Sequence, residues 1–289
     1  MDEFEKNRVV GGTLYLVGTP IGNMADISPR AVKVLSEVDF IAAEDTRHTG
    51  RLLSALGISR PMVSYYKDNA AESGRRIVAR LLEGESCALC TDAGMPAISD
   101  PGEDLVKLCA GAGIVVSCVP GPSAAITALA LSGADTRSFV FVGFLPSDGK
   151  PRREALAELR AERRTVIIYE APHRLRRTLS DLCEVCGAER MIAVCRELTK
   201  LNEEVIRSTV GAAAKIYETE TPRGEFVLIL HGAKPDSSAD WSGMSVHEHV
   251  AMYESGGMSR MDAMKAAARD RGVGKGEIYK EVNRGGKTS

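Results

Sequence analysis

Residues 90–102 of the chain are Cys90-Thr91-Asp92-Ala93-Gly94-Met95-Pro96-Ala97-Ile98-Ser99-Asp100-Pro101-Gly102. They follow the apolar residues 87–89 and precede a helical pattern that begins at Glu103, so we expect a loop after a buried strand. In open α/β sheets, ligands bind outside the carboxyl ends of the strands. Two prolines restrict this loop, two glycines let a ligand approach the main chain, and two carboxylates are available for chemistry. The segment therefore predicts a ligand site at the edge of an α/β sheet.

The pattern on both sides of this loop predicts two α/β domains with a cleft between them. The first five predicted strands alternate with helical patterns, which indicates a mainly parallel sheet; they are Thr13–Gly18, Phe40–Ala43, Met62–Ser64, Ser86–Cys90 and Ile114–Val119. Five more predicted strands are Phe139–Phe144, Thr165–Glu170, Met191–Arg196, Glu204–Thr209 and Glu225–His231. No helix separates the third of these from the fourth, which predicts an antiparallel pair and hence a mixed sheet in the C-terminal α/β domain.

We expect domain boundaries at residues 1–136, 137–234 and 235–289. The last segment begins with the polar linker Lys234–Asp240 and continues as a small helical, helix-turn-helix-like module. This module is locally basic through Lys265, Arg269, Arg271, Lys275, Lys280, Arg284 and Lys287. Two interpretations stay open, namely an RNA contact and an ordinary solvated helical face.

Composition limits the class of protein. The 289 residues, 44% of them hydrophobic, are enough for two cores, and the net charge of −2 excludes a chain that is basic overall. No apolar run approaches the ~20 residues of a membrane span, and the charged start is unlike a secretory signal. We therefore expect a cytoplasmic protein with no membrane partner. Seven cysteines fit a reducing compartment as buried structural thiols, and five histidines without ligand spacing predict no metal site.

Polar clusters follow several other predicted strands. The loop Val17–Asn23 lacks the G-x-G-x-x-G fingerprint of dinucleotide-binding folds, and the chain has no phosphate-binding P-loop. Glu44 and Asp45 are candidates for a base or for ribose-binding carboxylates, although Asp45 or Thr46 is also a good helix cap. In the second domain, Tyr169–Arg174 and Arg196–Lys200 end strands in the same way. Their cations suit the phosphates of a polyanion or ordinary surface ion pairs.

Together these loops resemble the tetrapyrrole-methylase superfamily, and within it the ribosomal RNA small subunit methyltransferase I group. The resemblance covers residues 12–232 and is carried by seven segments: Val17–Asn23, Ala42–Thr49, Thr91–Gly102, Val119–Ala125, Gly143–Pro146, Tyr169–Arg174 and Arg196–Lys200. It implies S-adenosyl-L-methionine bound between two α/β domains, usually in a homodimer. The implied reaction is 2′-O-methylation of a cytidine ribose in the decoding region of 16S ribosomal RNA.

The resemblance also implies roles for particular residues. Cofactor contacts fall on Gly18, Asp92, Ala93, Gly94, Pro96, Ser123 and Ala124, with Tyr169, Glu170, Ala171, Gly224 and Glu225 from the second domain. Asp100, Glu44, Asp45 and His173 are candidates for the base that removes the hydroxyl proton. Arg47, Asn69, Arg174, Arg196 and Lys200 are candidates for RNA contacts.

Two segments depart from common patterns of the superfamily. Val17–Asn23 stands where many members have V-G-x-G-P-G-D, which favours the ribosomal RNA branch over tetrapyrrole methylation. Tyr66-Lys67-Asp68-Asn69 stands where many ribosomal RNA members have H-x-H-N, so a histidine base is not expected there. The alternatives are a C-methyltransferase for a uroporphyrinogen-like macrocycle and a non-catalytic protein that binds the cofactor or RNA.

Overall fold

A computed structural model describes residues 8–234 and 241–284. The chain forms two compact units, residues 1–233 and 234–289. The first unit contains both sheets, so the boundary predicted at residue 136 separates two sheets of one compact unit and stays a prediction. Within the predicted linker, residues 235–240 lie outside the described part of the chain, as does Lys287.

The first sheet is entirely parallel, with strand order β3-β2-β4-β1-β5. Its strands are β1 (Thr13–Val17), β2 (Phe40–Ala43), β3 (Met62–Ser64), β4 (Cys87–Cys90) and β5 (Val115–Val119). The helices that cover it or follow it are α1 (Pro29–Glu37), α2 (Thr46–Ala55), α3 (Ala70–Leu82), α4 (Glu103–Gly111) and α5 (Ala124–Ser132). This parallel sheet confirms the architecture predicted for the N-terminal region.

The second sheet is mixed, with strand order β6-β7-β10-β8-β9. Its strands are β6 (Phe139–Phe144), β7 (Thr165–Glu170), β8 (Met191–Arg196), β9 (Glu204–Thr209) and β10 (Phe226–Leu230). Its helices are α6 (Gly149–Ala161), α7 (Pro172–Cys186) and α8 (Val210–Thr219). β6 and β7 are parallel, whereas β8 pairs antiparallel with both β9 and β10, as the short step between β8 and β9 predicted.

Alternation of side chains along the strands builds a core on each face of the first sheet. Cys87 packs with Leu14 on one face and Cys90 packs with Tyr15 on the other, as expected for positions three apart in a strand. Four of the seven thiols are buried as expected, those of Cys87, Cys90, Cys109 and Cys195. The expectation was wrong for Cys118, which is exposed on the edge strand β5, and Cys183 and Cys186 are half-buried.

Helix α5 joins the two sheets. Its residues Ala125, Ala128 and Leu129 pack in one cluster with Ile167 of β7 and Ile229 of β10, so the last helix of the first sheet covers a face of the second. The loops at the carboxyl ends of the first sheet are thereby held against the second sheet.

The second unit is described by itself. It contains α9 (Val246–Ser255), α10 (Arg260–Arg271) and α11 (Lys275–Arg284), within the segment predicted to be a small helical module. Val250, Ala267, Ile278 and Val282 form part of its small core. Within the two described ranges, no helix is both long and apolar enough to cross a membrane.

Candidate functional site

A cavity of about 350 Å³ lies where the strand-end loops of the first sheet face the second sheet. Sites for small molecules and cofactors have volumes of roughly 300–1,000 Å³ and mostly apolar walls with a few polar groups. This cavity has that composition, since the carboxyl-bearing Asp100 and Glu225 stand among mainly apolar neighbours. Its volume and lining suit a ligand of cofactor size.

Many of the residues predicted from the sequence line this cavity. They are Ala93, Gly94, Asp100, Ser123, Ala124, Tyr169, Glu170, Ala171 and Glu225. The predicted cofactor residues Gly18, Asp92, Pro96 and Gly224 are not part of the lining, although each belongs to a loop that borders it or adjoins it in sequence.

The sequence interpretation missed the apolar wall of the cavity, formed by Ile21, Met95, Ile98, Phe144, Pro172, Leu198, Phe226 and Val227. Several of these directly neighbour residues that were predicted. These residues have no distinguishing signal in the sequence, because an apolar residue that lines a cavity looks the same as one in the core. Two of them, Ile98 and Phe144, are more than half exposed, which places apolar surface on the cavity wall.

Three carboxylates meet at the ends of β2 and β4. The main-chain N–H of Glu44 donates to the Cys90 carbonyl (3.3 Å), which brings Glu44 beside the loop that carries Asp92 and Asp100. Burial, reinforced by the charges of Glu44 and Asp92, raises the pKa of Asp100 to about 6. Burial and the charge of Asp92 also raise the pKa of Glu44. Asp100 is therefore a carboxylate in the cavity whose affinity for a proton suits a base near neutral pH.

The other two candidate bases do not reach the cavity. Asp45 is the N-cap of α2, and its Oδ1 accepts hydrogen bonds from the N–H groups of Arg47 (2.7 Å) and His48 (3.4 Å). His173 is exposed in the first turn of α7 and is not part of the lining. Of the four predicted bases, Asp100 alone lines the cavity and Glu44 adjoins it.

Three predicted RNA-binding cations are already engaged by the protein. Arg174 donates to the Pro146 carbonyl (3.2 Å) and lies 3.4 Å from the carboxylate of Glu170. Arg196 donates to the Arg223 carbonyl (2.9 Å). Lys200 contacts the carboxylates of Glu197 (2.9 Å) and Glu225 (2.8 Å). These side chains hold the loops around the cavity, and their contact with RNA stays a prediction.

The side chain of Asn69 is also engaged within the protein, by hydrogen bonds to the main chain. Its Oδ1 accepts from the Tyr66 N–H (2.9 Å) and its Nδ2 donates to the Ser64 carbonyl (3.1 Å). Asn69 therefore fixes the turn after β3. Arg47, in contrast, is exposed and has no ion-pair partner among the described residues.

Two loops that line the cavity hold the backbone in an unusual conformation. Within the described ranges, four non-glycine residues have positive φ, namely Ala97, Ser99, Glu197 and Thr199. Ala97 and Ser99 flank Ile98, and Glu197 and Thr199 flank Leu198, so each pair directs a cavity-lining residue. Such conformations are costly and are concentrated at functional sites. The backbone conformation of both loops is therefore typical of a ligand site, whatever their side chains are.

Comparison with known proteins identifies the family. Residues 13–214 match the family described as Tetrapyrrole (Corrin/Porphyrin) Methylases. A protein of Halalkalibacterium halodurans named ribosomal RNA small subunit methyltransferase I is 46% identical over 271 residues, 93% of each chain. The chain belongs to the ribosomal RNA small subunit methyltransferase I group of the tetrapyrrole methylases. A Bacillus subtilis relative of the same name is 44% identical, again over 93% of each chain.

A third relative is shorter than this methylase. The Thermotoga maritima protein of the same name is 46% identical over 221 residues, which are 99% of that protein but only 76% of this chain. About a quarter of this chain therefore lies outside the match to that protein.

Two solved structures share the fold of this methylase at low identity. A cobalt precorrin-4 methyltransferase has a TM-score of 0.59 at 18% identity and covers 78% of this chain and 97% of its own. A uroporphyrin-III-C-methyltransferase from Thermus thermophilus has a TM-score of 0.55 at 23% identity, with coverage of 75% and 94%. These likenesses confirm the two-sheet fold.

A close approach of two glycines underlies the cavity of this methylase. A Cβ atom on Gly18 would lie 2.7 Å from Cα of Gly121 and 2.7 Å from Sδ of Met95. Gly18→Ala is therefore expected to push the two loops apart and to lower the free energy of unfolding by ~1–3 kcal/mol. Urea denaturation measures this loss. Gly111→Ala is the matched control, because a Cβ there has no neighbour within 4 Å; equal stability of the two variants would contradict the prediction.

Proposed function

We propose that this protein transfers a methyl group from S-adenosyl-L-methionine to the ribose 2′-oxygen of a cytidine in the decoding region of 16S ribosomal RNA. The observation that carries the proposal is the position of Asp100, a half-buried carboxylate with a raised pKa in a cavity of cofactor size. The names of relatives at 44–46% identity support ribosomal RNA of the small subunit as the substrate.

The residues around the cavity fit the proposed methyl donor. Ala93 offers main-chain groups, beside Gly94, whose own N–H and carbonyl are paired with Thr19. Ser123 and Ala124 stand at the start of α5, and Tyr169 and Ala171 close the opposite side. Buried polar atoms without a partner among the described residues, Oγ1 of Thr91 and Oδ1 of Asp92, lie at the base of the loop after β4. A polar ligand beside this loop satisfies such atoms. When bound, S-adenosyl-L-methionine supplies an electrophilic methyl group on a sulfonium.

The chain itself supplies alignment and a base. Holding the ribose oxygen in line with the methyl group contributes up to ~7–11 kcal/mol. Asp100 accepts the proton of the 2′-hydroxyl as the oxygen gains its methyl group. Burial, together with the charges of Glu44 and Asp92, raises the pKa of Asp100 to about 6, which strengthens Asp100 as a base while leaving it ionised at neutral pH.

Tyr169 fixes the wall opposite Asp100. The main-chain N–H of Ala125 donates to the Tyr169 hydroxyl (3.2 Å), and the ring packs edge-on against Phe141 and Phe144. Because Tyr169 belongs to β7 and Ala125 to α5, this hydrogen bond ties the second sheet to the first across the cavity.

The test is transfer of labelled methyl groups to small ribosomal subunits from a strain that lacks this activity. We expect the label in 2′-O-methylcytidine of a decoding-region fragment, identified by mass spectrometry of the digested RNA. Transfer to a porphyrinogen would select the C-methyltransferase alternative, for which the solved structures offer likeness of fold alone. Binding of the donor without transfer to either substrate would favour a non-catalytic role.

Two further parts of the proposal concern assembly and location. We propose that the enzyme acts as a homodimer on the small subunit in the cytoplasm. Light scattering coupled to size-exclusion chromatography gives the mass of the particle, and a monomer at working concentration would remove the dimer from the proposal.

A further inference from the structure

An exposed aromatic residue and three exposed cations stand together beside the carboxylate cluster. We call this set the rim; it consists of Arg47, Arg51, Tyr66 and Lys67, all exposed. Ala43 pairs with Ser64 in the sheet, and the Tyr65 N–H donates to the Ala43 carbonyl (2.8 Å). Because neighbouring strands lie ~4.8 Å apart, the loop with Tyr66 and Lys67 is directly beside the start of α2.

The turn that carries Tyr66 is held rigidly. Asn69 accepts from the Tyr66 N–H through its side chain and donates its own N–H to the Tyr66 carbonyl (3.1 Å). The adjacent Tyr65 is fully buried, whereas Tyr66 is 42% exposed. Among the described residues the Tyr66 ring stacks on no other aromatic side chain. The protein thus presents a partly exposed aromatic ring to solvent on a hydrogen-bonded turn, and such a ring can stack against a nucleic-acid base.

The cations of the rim are free, unlike those elsewhere around the site. Arg47 and Arg51 are four residues apart on α2 and therefore lie on the same side of that helix. Neither they nor Lys67 forms an ion pair within residues 8–234 and 241–284. Asp45 is nearby, but its carboxylate caps α2, and Asp68 is an exposed acid in the Tyr66 turn. The three cations of the rim outnumber the two adjacent carboxylates, Asp45 and Asp68, and Glu44 belongs to the carboxylate cluster beside the rim.

The rim lies along the same sheet edge as the proposed reaction centre. Along the sheet edge the order β3-β2-β4 places the Tyr66 turn first, then Glu44, then the loop of Asp92 and Asp100. An RNA strand with its ribose at Asp100 therefore reaches the rim if it continues along the sheet edge toward β3. Aromatic faces that stack bases, combined with cations that follow the backbone, are the usual means of binding single-stranded RNA.

We propose that the rim binds single-stranded RNA next to the methylated nucleotide, with one unpaired base stacked on Tyr66 and the backbone phosphates on Arg47, Arg51 and Lys67. This inference rests on the proposed function, which it deepens by assigning the substrate contacts to residues other than Arg174, Arg196 and Lys200. An acidic protein segment also suits cations, but it leaves the aromatic face without a stacking partner.

The first experiment measures stacking with the full-length protein and a labelled single-stranded RNA oligonucleotide of decoding-region sequence. Tyr66→Ala is expected to weaken binding by about 5- to 150-fold, the equivalent of ~1–3 kcal/mol per stacked base. Tyr66→Phe keeps the ring and is expected to bind as the natural protein does. With 2-aminopurine in the oligonucleotide, fluorescence quenching on binding should persist in Tyr66→Phe and disappear in Tyr66→Ala.

The second experiment measures the phosphate contacts through their dependence on salt. Arg51→Gln is expected to reduce the slope of log affinity against log salt by about 0.7, the value for one lost contact to a single strand. Arg153→Gln removes the same charge from an exposed position on α6 and is expected to leave the slope unchanged. The comparison of Arg51→Gln with Arg153→Gln tests the inference even if Tyr66→Ala fails to fold.

Three results would overturn the inference. They are unchanged RNA binding in Tyr66→Ala, equal slopes in the two arginine variants, and weaker binding to small subunits with unchanged binding to free RNA, which would assign the rim to a ribosomal protein. In each case methyl transfer to small subunits is measured in parallel with the natural protein. Methyl transfer that persists in the natural protein still supports the proposed function, even where these results overturn the inference about the rim.

Discussion

Asp100→Asn is expected to lower kcat for methyl transfer by about 10²–10⁴-fold, the usual contribution of a positioned base. The amide has nearly the shape of the carboxylate but cannot accept the proton of a ribose hydroxyl. Binding of S-adenosylhomocysteine, measured by calorimetry, is expected to persist because the cavity keeps its volume. A variant that retained the full rate would contradict the role of Asp100.

The same residue predicts how activity depends on pH. Since the pKa of Asp100 is raised to about 6, the carboxylate is ionised above that pH and protonated below it. We therefore expect kcat to fall as the pH drops through about 6 and to level off above it. Glu44→Gln removes one of the charges that raise this pKa and should move the fall to lower pH. In Asp100→Asn this dependence should be absent from the residual rate.

Arg152→Ala is expected to cost ~1–3 kcal/mol of unfolding free energy, because it removes a buried guanidinium and leaves its hydrogen-bond acceptors without a donor. The Arg152 side chain is 3% exposed. It donates to Asp181 (2.8 Å), to the Thr178 hydroxyl (2.9 Å) and to the Pro146 carbonyl (2.9 Å). Thr178 in turn donates to the buried carboxylate of Glu170, so the network supports the cavity wall from β7. Urea denaturation followed by circular dichroism measures the loss.

Arg137→Ala is the matched control for this second prediction. Arg137 also pairs with an aspartate, Asp135 (2.7 Å), but the two side chains are 89% and 54% exposed. Exposed pairs contribute ~0–1 kcal/mol because water and salt screen them. If both variants lost the same small amount of stability, the network around Arg152 would not support the cavity wall.

The elements of the fold were largely predictable because their signals are local. Short runs of residues that favour β-strands, separated by helical patterns, predicted strands such as Phe40–Ala43 and Met191–Arg196. The structure shows both with the predicted limits. The mixed second sheet followed from the short connection between β8 and β9. The start of α6 at Gly149 is less predictable, because the glycine and the proline in its first turn weaken the helical pattern.

The partners of charged side chains were not predictable in the same way. Arg174, Arg196 and Lys200 stand at strand ends as phosphate ligands do, yet their partners Pro146, Arg223 and Glu225 are distant in sequence. Glu44 and Asp45 are adjacent in sequence but differ in role, because the cap geometry of α2 engages Asp45 and leaves Glu44 beside Asp92. Local patterns place a residue at a strand end, whereas tertiary contacts decide whether it is available.

The most direct test of the account is a crystal structure of the protein with S-adenosylhomocysteine, the product of methyl donation. We expect the ligand in the cavity between the loop Ala93–Asp100 and residues Tyr169–Ala171, with the carboxylate of Asp100 accessible from the side of the rim. A ligand bound elsewhere on the protein, or a cavity filled by the protein's own side chains, would contradict it.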